Sequence, residues 1–224
     1  MAQPVALIVG AGPGISYAFA EALAADGYRV ALAARNFDKL RPLAKALGAL
    51  PVEADASSSA SLVNLFDEVD RALGSPDVVL FNPSARIRGE LQSVDIAAAA
   101  AAIHTTAIGA LVTAQEAAKR MIPRGRGCLF FTGATAGVKG FARSSVFAMG
   151  KFAVRGLAQS LARELSPAGI HVVHFVIDGA VAKGSQEEGG FTPQAIAQSY
   201  MAAVAQPRAA WSWEIELRSY QEPF

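Results

Sequence analysis

The stretch Val5–Ser16 constrains the fold most strongly, because five apolar residues run directly into a turn that contains Gly10, Gly12 and Gly14. A short, unbroken apolar run predicts a buried strand, and glycines at its end let the backbone turn tightly and approach a pyrophosphate. A helix beginning near Ile15 would point its amide N–H groups at those phosphates. Ile15 occupies the last place of the strict Gly-x-Gly-x-x-Gly spacing, so this stretch alone also fits an ordinary strand-to-helix connection.

Apolar runs alternate with helical patterns along the rest of the chain. After the first strand, the runs predict strands at 29–34, 50–54, 77–81, 128–132, 171–177 and 213–217, and the helical patterns lie at 17–26, 38–47, 59–73, 94–120, 144–165 and 193–205. The alternation predicts an α/β fold in which residues 1–224 form one domain. Its core is a Rossmann-like, doubly wound parallel sheet of about seven strands with helices on both faces. Ligands bind beyond the carboxyl ends of the strands in such a sheet.

Composition narrows the possible partners. The formal net charge is +1, with 20 basic and 19 acidic residues. The sequence contains no run of like charges, which argues against binding to nucleic acid or to an anionic membrane. The apolar N-terminal run is too short for a signal peptide, and no unbroken apolar run of about 18 residues predicts a membrane span, so we expect a cytoplasmic protein. Cys128 is the only cysteine, and the spacing of His, Asp and Glu predicts no metal site.

The glycine turn, Asn82 at the end of the fourth predicted strand and Lys151 in the sixth predicted helix together resemble the short-chain dehydrogenase/reductase family over essentially the whole chain. Gly10, Gly14 and Ile15 match the family's Gly-x-x-x-Gly-Ile-Gly, with a serine in place of the last glycine. The resemblance implies that these residues, Gly12 and Asn82 bind a dinucleotide.

Two further positions bear on the adenosine end of that cofactor. The resemblance implies that Asp55 contacts adenine, although a helix N-cap or turn carboxylate is the alternative. Arg35 follows the second strand, and Ala34 stands where NAD-dependent relatives carry an acidic residue. An arginine pairs with a 2′-phosphate that an Asp would repel, so NADP(H) is the preferred cofactor and NAD(H) a possible one. Arg35 could instead be a solvated residue at a helix start.

The departures from the family lie at its catalytic positions. Its active-site Asn falls on Thr106, its Ser on Ala134, and its Tyr-x-x-x-Lys pair on Phe147 and Lys151. The family's tyrosine donates the proton in carbonyl reduction, and phenylalanine has none to give. The changes resemble a divergent subgroup with Phe in place of Tyr, in which Lys151 still binds the nicotinamide ribose.

The stretch 177–181 resembles the family segment that lies against the nicotinamide, which implies that Gly179 and Val181 contact the cofactor. The polar, glycine-rich stretch 184–190 predicts either a substrate lid or an ordinary surface loop. Three histidines are weaker candidates for a replacement proton donor, and Thr135 and Ser144 are polar groups that could line the pocket. The histidines are His104, His171 and His174.

Two functions therefore remain open. The first is an NADP(H)-binding oxidoreductase with a non-standard active site, which transfers hydride to a small, apolar substrate such as an iminium or a polarised alkene. The second is a catalytically silent NADP-binding pseudoenzyme that acts as a binding or assembly protein. Helices 94–120 and 144–165 are those that family members commonly pair across a two-fold axis, so we expect a homo-oligomer, either a dimer or a tetramer.

Overall fold

A computed structural model describes residues 3–181 and 190–220. Strands and helices alternate through these residues as predicted, and most boundaries differ from the predicted ones by one or two residues. The strands are β1 (Val5–Val9), β2 (Arg29–Ala34), β3 (Leu50–Glu53), β4 (Val78–Phe81), β5 (Gly127–Thr132), β6 (Ile170–Asp178) and β7 (Glu214–Arg218). The helices are α1 (Ile15–Ala25), α2 (Phe37–Leu47), α3 (Ser59–Ala72), α4 (Ile96–Ile103), α5 (Gly109–Met121), α6 (Ser145–Leu165) and α7 (Pro193–Val204).

In the described residues the strands form one seven-stranded sheet in the order β3-β2-β1-β4-β5-β6-β7. Every neighbouring pair is parallel. The order reverses direction beside β1, which makes the sheet doubly wound and confirms the predicted fold class. All strands end at the same edge, so the loops that follow β1, β4, β5 and β6 lie side by side.

Helices cover both faces of the sheet, and this explains why its central strands are apolar at every position. All five residues of β1 are buried. One core cluster packs α3, α5 and α6 against one face, and a second packs α1, α2 and α7 against the other. Large apolar side chains fix both layers, among them Phe66 in the first cluster and Phe19 in the second.

The prediction of one continuous helix over 94–120 is wrong in one respect. A single π-helical turn, His104–Ile108, separates α4 from α5. The turn lies where Thr106 accepts a hydrogen bond from the amide of Ala85 (3.1 Å). Such turns insert one extra residue into a helix and occur often at functional sites.

The same segment also bears on the expectation about membranes. By length and composition, Ile96–Arg124 is long and apolar enough to cross a membrane, and 28% of its most apolar window is buried in the fold. A core helix of a globular protein passes the same test, so one such helix is weak evidence of membrane insertion.

Candidate functional site

Two side chains hold the glycine turn after β1, and a third packs against it. Gly10 has a φ of +79°, and a Cβ there would lie 2.7 Å from Cγ of Pro83. Ser16 donates from Oγ to the carbonyl of Gly10 (3.1 Å). Asn82 donates from Nδ2 to that carbonyl (3.2 Å) and to Oγ of Ser16 (2.8 Å). Asn82 therefore fixes the shape of the turn, and Ser16 contributes to the same network.

The next part of the turn is open. A Cβ at Gly12 or Gly14 would meet no atom within 4 Å. Gly14 is the N-cap of α1, where no side chain caps the amides and the first helical turn carries no acidic residue. Ile15 is the first residue of the helix. Open space therefore lies beside this end of α1, where the amide groups have no side-chain cap and the helix dipole is positive.

Arg35 and Asp55 lie together beyond β2 and β3, in a surface cavity of about 420 Å³ that Glu53 and Ser61 also line. Asp55 accepts hydrogen bonds at Oδ1 from the amide and the hydroxyl of Ser57, both at 2.8 Å. The hydrogen bond from the Ser57 amide lowers the pKa of Asp55, and the Ser57 hydroxyl and the charge of Arg35 act in the same direction. The Asp55 carboxylate therefore stabilises the turn that follows it, as the alternative to adenine contact predicted.

Lys151 lies on α6 and is almost completely buried. Its Nζ donates to the carbonyl of Thr132 at the end of β5 (2.7 Å) and lies 6.0 Å from the centre of the Phe147 ring. Burial, followed by the positive charge of Arg86, lowers the pKa of Lys151 to about 8. An ammonium with this pKa loses its proton at a lower pH than that of a solvent-exposed lysine.

A cavity of about 690 Å³ opens beside this lysine. Ala134, Phe147 and Gly179 line it, so three predicted site residues from three different elements meet there. Gly179 follows directly after β6, and Ala134 precedes a short 3-10 turn. Neither Ala134 nor Phe147 carries a hydroxyl, so neither side chain can donate a hydrogen bond or a proton to a molecule in the cavity.

Polar groups do line the wall of this cavity. Thr135 donates from Oγ1 to Oδ1 of Asp178 (2.6 Å), and Asp178 also pairs with Arg218. Ser144 lines the cavity without a side-chain hydrogen bond among the described residues. The polar candidates Thr135 and Ser144 thus lie at the cavity, although the hydroxyl of Thr135 is already committed to Asp178.

Thr106 and Val181 are placed away from the cavity wall. Thr106 is buried and its hydroxyl bonds the loop after β4 through Ala85, so it fixes that loop in place. Val181 forms a parallel bridge with Phe191. The lid predicted at 184–190 lies outside the described residues, except for its last position.

The histidines lie elsewhere. His174 is a buried residue of β6 whose Nδ1 bonds Glu214 (3.0 Å), while His171 stacks on Trp211 with ring centres 4.7 Å apart. His104 belongs to the π-helical turn. No group of three or more His, Cys, Asp or Glu side chains in residues 3–181 and 190–220 could hold a metal ion.

The structure adds a feature that the motifs did not reveal. Arg86, Arg88 and Arg143 also line the cavity. Cζ of Arg86 lies 4.3 Å from the centre of the Phe147 ring, which is a cation–π contact. A sequence signal did exist, since two basic residues follow the fourth strand at the ligand-binding edge of the sheet, but no spacing rule predicts which ring they approach.

Comparison with known proteins agrees with this geometry. A family model described as short chain dehydrogenase matches residues 4–187. A bovine 3-oxoacyl-[acyl-carrier-protein] reductase is 29% identical over 170 residues, which cover 75% of this chain and 72% of the relative.

Two solved structures share the fold. A short-chain dehydrogenase from Rhodopseudomonas palustris is 32% identical, covers 97% of this chain and 99% of its own, and superposes with a TM-score of 0.87. An alcohol dehydrogenase from Thermococcus sibiricus, complexed with 5-hydroxy-NADP, is 23% identical, covers 98% of both chains and also has a TM-score of 0.87.

Proposed function

This chain belongs to the short-chain dehydrogenase family, and we propose that it is an NADP(H)-binding oxidoreductase with a non-standard active site, acting on a small, largely apolar substrate. The observation that carries the proposal is the cavity of about 690 Å³ that Ala134, Phe147 and Gly179 line beside buried Lys151. We further propose that the single domain spans residues 1–224.

The residues at the sheet edge fit a dinucleotide. Gly12 and Gly14 leave open space in front of the uncapped amides of α1, which suits a pyrophosphate. Arg35, which lines one cavity with Asp55, would pair with a 2′-phosphate. The cavity at Arg35 follows β2, and the cavity at Gly179 follows β6. Four strand intervals of about 4.8 Å separate these strands, so the two cavities lie about 19 Å apart, a spacing that fits the two ends of one extended ligand. The Thermococcus sibiricus relative, complexed with 5-hydroxy-NADP, supports the choice of NADP(H) over NAD(H).

The reducing chemistry belongs to the bound nicotinamide, which supplies hydride. Lys151 would bind the nicotinamide ribose from its position one helical turn beyond Phe147, and Gly179 and Val181 would flank the ring. Phe147 supplies no proton to the product. The residue set therefore favours an iminium, which already carries its proton, or a polarised alkene, whose product takes one from water.

The test is titration calorimetry with NADPH and NADH, followed by NADPH oxidation against a panel of alkenes, imines, ketones and aldehydes. We expect tighter binding of NADPH, and turnover of an alkene or an imine. Equal affinity for the two cofactors would refute the NADP(H) preference. Reduction of simple ketones at about 10 per second, the median for enzymes, would refute the deficit assigned to Phe147.

A catalytically silent, NADP-binding pseudoenzyme is the second candidate. The observation that favours it is the replacement of both hydroxyl-bearing catalytic residues at the cavity, by Ala134 and Phe147, while the cofactor-binding turn is intact. It predicts NADPH binding without oxidation by any member of the panel. The same experiment therefore separates the two functions.

We also propose that a second copy of the chain packs on α4 and α6. Exposed apolar side chains are concentrated there, with Ile96 78% and Met149 61% exposed, around an apolar groove of about 490 Å³ between the helices. A homodimer, or a tetramer built from two such dimers, would bury this surface. Light scattering at micromolar concentration should return a multiple of the 23.3 kDa chain mass, and a monomer mass would refute the proposal.

A further inference from the structure

The described lining of the large cavity has an unbalanced charge. It contains three cationic side chains, those of Arg86, Arg88 and Arg143, and no acidic one. The carboxylate of Asp178, which accepts a hydrogen bond from the lining residue Thr135, is already paired with Arg218. The cavity therefore presents a positive field to whatever enters it.

None of the three arginines is neutralised by the rest of the described chain. Among residues 3–181 and 190–220, the ion pairs involve other cations. Arg86 is nevertheless held in place, because its guanidinium stacks on the Phe147 ring with 4.3 Å between Cζ and the ring centre. Stacking leaves the N–H groups at the edge of a guanidinium free to bind an anion in the plane of the group.

The two loops that carry the arginines are joined to each other. The amide of Gly89 donates to the carbonyl of Arg143 (3.1 Å). Arg143 is the one non-glycine residue with a positive φ in the described chain, at 60°. Backbone in this region is uncommon for a residue with a side chain and is concentrated at ligand-binding sites. The loop after β4 and the loop before α6 are thus fixed so that their arginines face one space.

We propose that the substrate carries an anionic oxygen group, a carboxylate or a phosphate, which Arg86 binds in the plane of its guanidinium while Arg88 and Arg143 strengthen the field. The apolar part of the substrate packs against Phe147 and Ile177. This assignment rests on the proposed function, which places the reacting carbon near Lys151. The cofactor's own phosphates are assigned to the glycine turn and to Arg35, so they do not account for these three arginines.

The charge also narrows the choice of acceptor. A simple cationic iminium would be repelled by three unneutralised guanidinium groups, whereas a polarised alkene with an acid group is attracted. An iminium is acceptable only where a carboxylate on the same molecule offsets its charge. The proposal thus favours unsaturated acids, or their phosphorylated counterparts, as the substrate class.

The experiment is titration calorimetry of the full chain, alone and saturated with NADP⁺. The probes are levulinate, its uncharged methyl ester and inorganic phosphate. We expect levulinate to bind at least about tenfold more tightly than the ester, with an affinity that falls as salt is added. Arg86→Ala should remove that tenfold difference, and Arg86→Lys should restore part of it, since an ammonium keeps the charge but loses the planar pair of donors.

Arg71→Ala, on the exposed surface of α3, is the matched control and should change neither affinity. Equal binding of levulinate and its ester, binding of none of the three probes, or an unchanged preference in Arg86→Ala would overturn the proposal. Tight binding of phosphate to the NADP⁺-saturated chain, lost in Arg86→Ala, together with weak binding of levulinate would support it and assign the anion as a phosphate. Failure of NADPH to bind would instead defeat the proposed function, and the titrations of the cofactor-free chain would still decide the anion site.

Discussion

Replacing Gly10 by alanine should destabilise the fold, while the same change at Gly12 should not. At Gly10 the methyl group meets two penalties. The left-handed backbone, with φ at +79°, costs an alanine about 1–2 kcal/mol. The new Cβ would also lie 2.7 Å from Cγ and 2.8 Å from Cδ of Pro83, and overpacking of this kind costs about 1–3 kcal/mol. We therefore expect Gly10→Ala to lower the free energy of unfolding by about 2–5 kcal/mol.

Gly12 provides the control within the same turn. A Cβ there meets no atom within 4 Å, and its φ lies outside the left-handed range. Gly12→Ala should therefore change the free energy of unfolding by less than about 1 kcal/mol. It should weaken NADPH binding, however, because the methyl group occupies the open space that the proposal assigns to the pyrophosphate.

Urea unfolding followed by circular dichroism measures the first effect, and calorimetry with NADPH measures the second. The two variants should therefore separate stability from cofactor binding. A Gly10→Ala protein as stable as the parent would refute the packing argument for the turn. A Gly12→Ala protein with undiminished NADPH affinity would show that the cofactor does not use this space.

Three further changes test the rest of the site. Arg35→Ala should lower NADPH affinity and leave NADH affinity unchanged, since only the former carries the 2′-phosphate, and equal losses by calorimetry would contradict this. Ala134→Ser with Phe147→Tyr should raise ketone reduction by more than the sum of the single changes on a logarithmic scale, because groups of one catalytic unit are non-additive, and simple additivity in NADPH oxidation rates would refute it. Lys151, whose pKa falls to about 8 on burial, binds its proton more tightly in the unfolded chain, so its contribution to stability should rise as pH increases from about 8 towards 10.5. Lys151→Met should lack this rise in urea unfolding series, and identical pH profiles would refute it.

The sequence predicted the sheet well because each strand is short, apolar and bounded by turn residues. β2 occupies the range predicted for it, and β7, the least apolar strand, differs by one residue at each end. The error at His104–Ile108 has a physical reason. The turn reads His-Thr-Thr-Ala-Ile, and helix propensities rank residues for a helix without separating an α turn from a π turn. The difference comes from the tertiary contact in which Thr106 bonds the amide of Ala85.

The site could be predicted only where spacing along one element determines geometry. Phe147 and Lys151 are four residues apart on α6, so their closeness follows from the helix. The glycine turn follows from a strand that ends beside a helix start. Arg86 is different, because its position depends on the path of the loop after β4, and that path is set by partners distant in sequence, including Thr106.

Phe147 has a role of its own at the cavity. A guanidinium stacks on an aromatic face, so this ring supports a cation there. The charge of Arg86 contributes to the lowered pKa of Lys151. The loop after β4 therefore influences the protonation of this buried lysine. A tyrosine at this position would keep the ring face and restore a hydroxyl. The aromatic face of Phe147 positions the Arg86 guanidinium, and that guanidinium sets the charge that a substrate meets. The effects of substitutions at positions 86 and 147 should therefore be coupled.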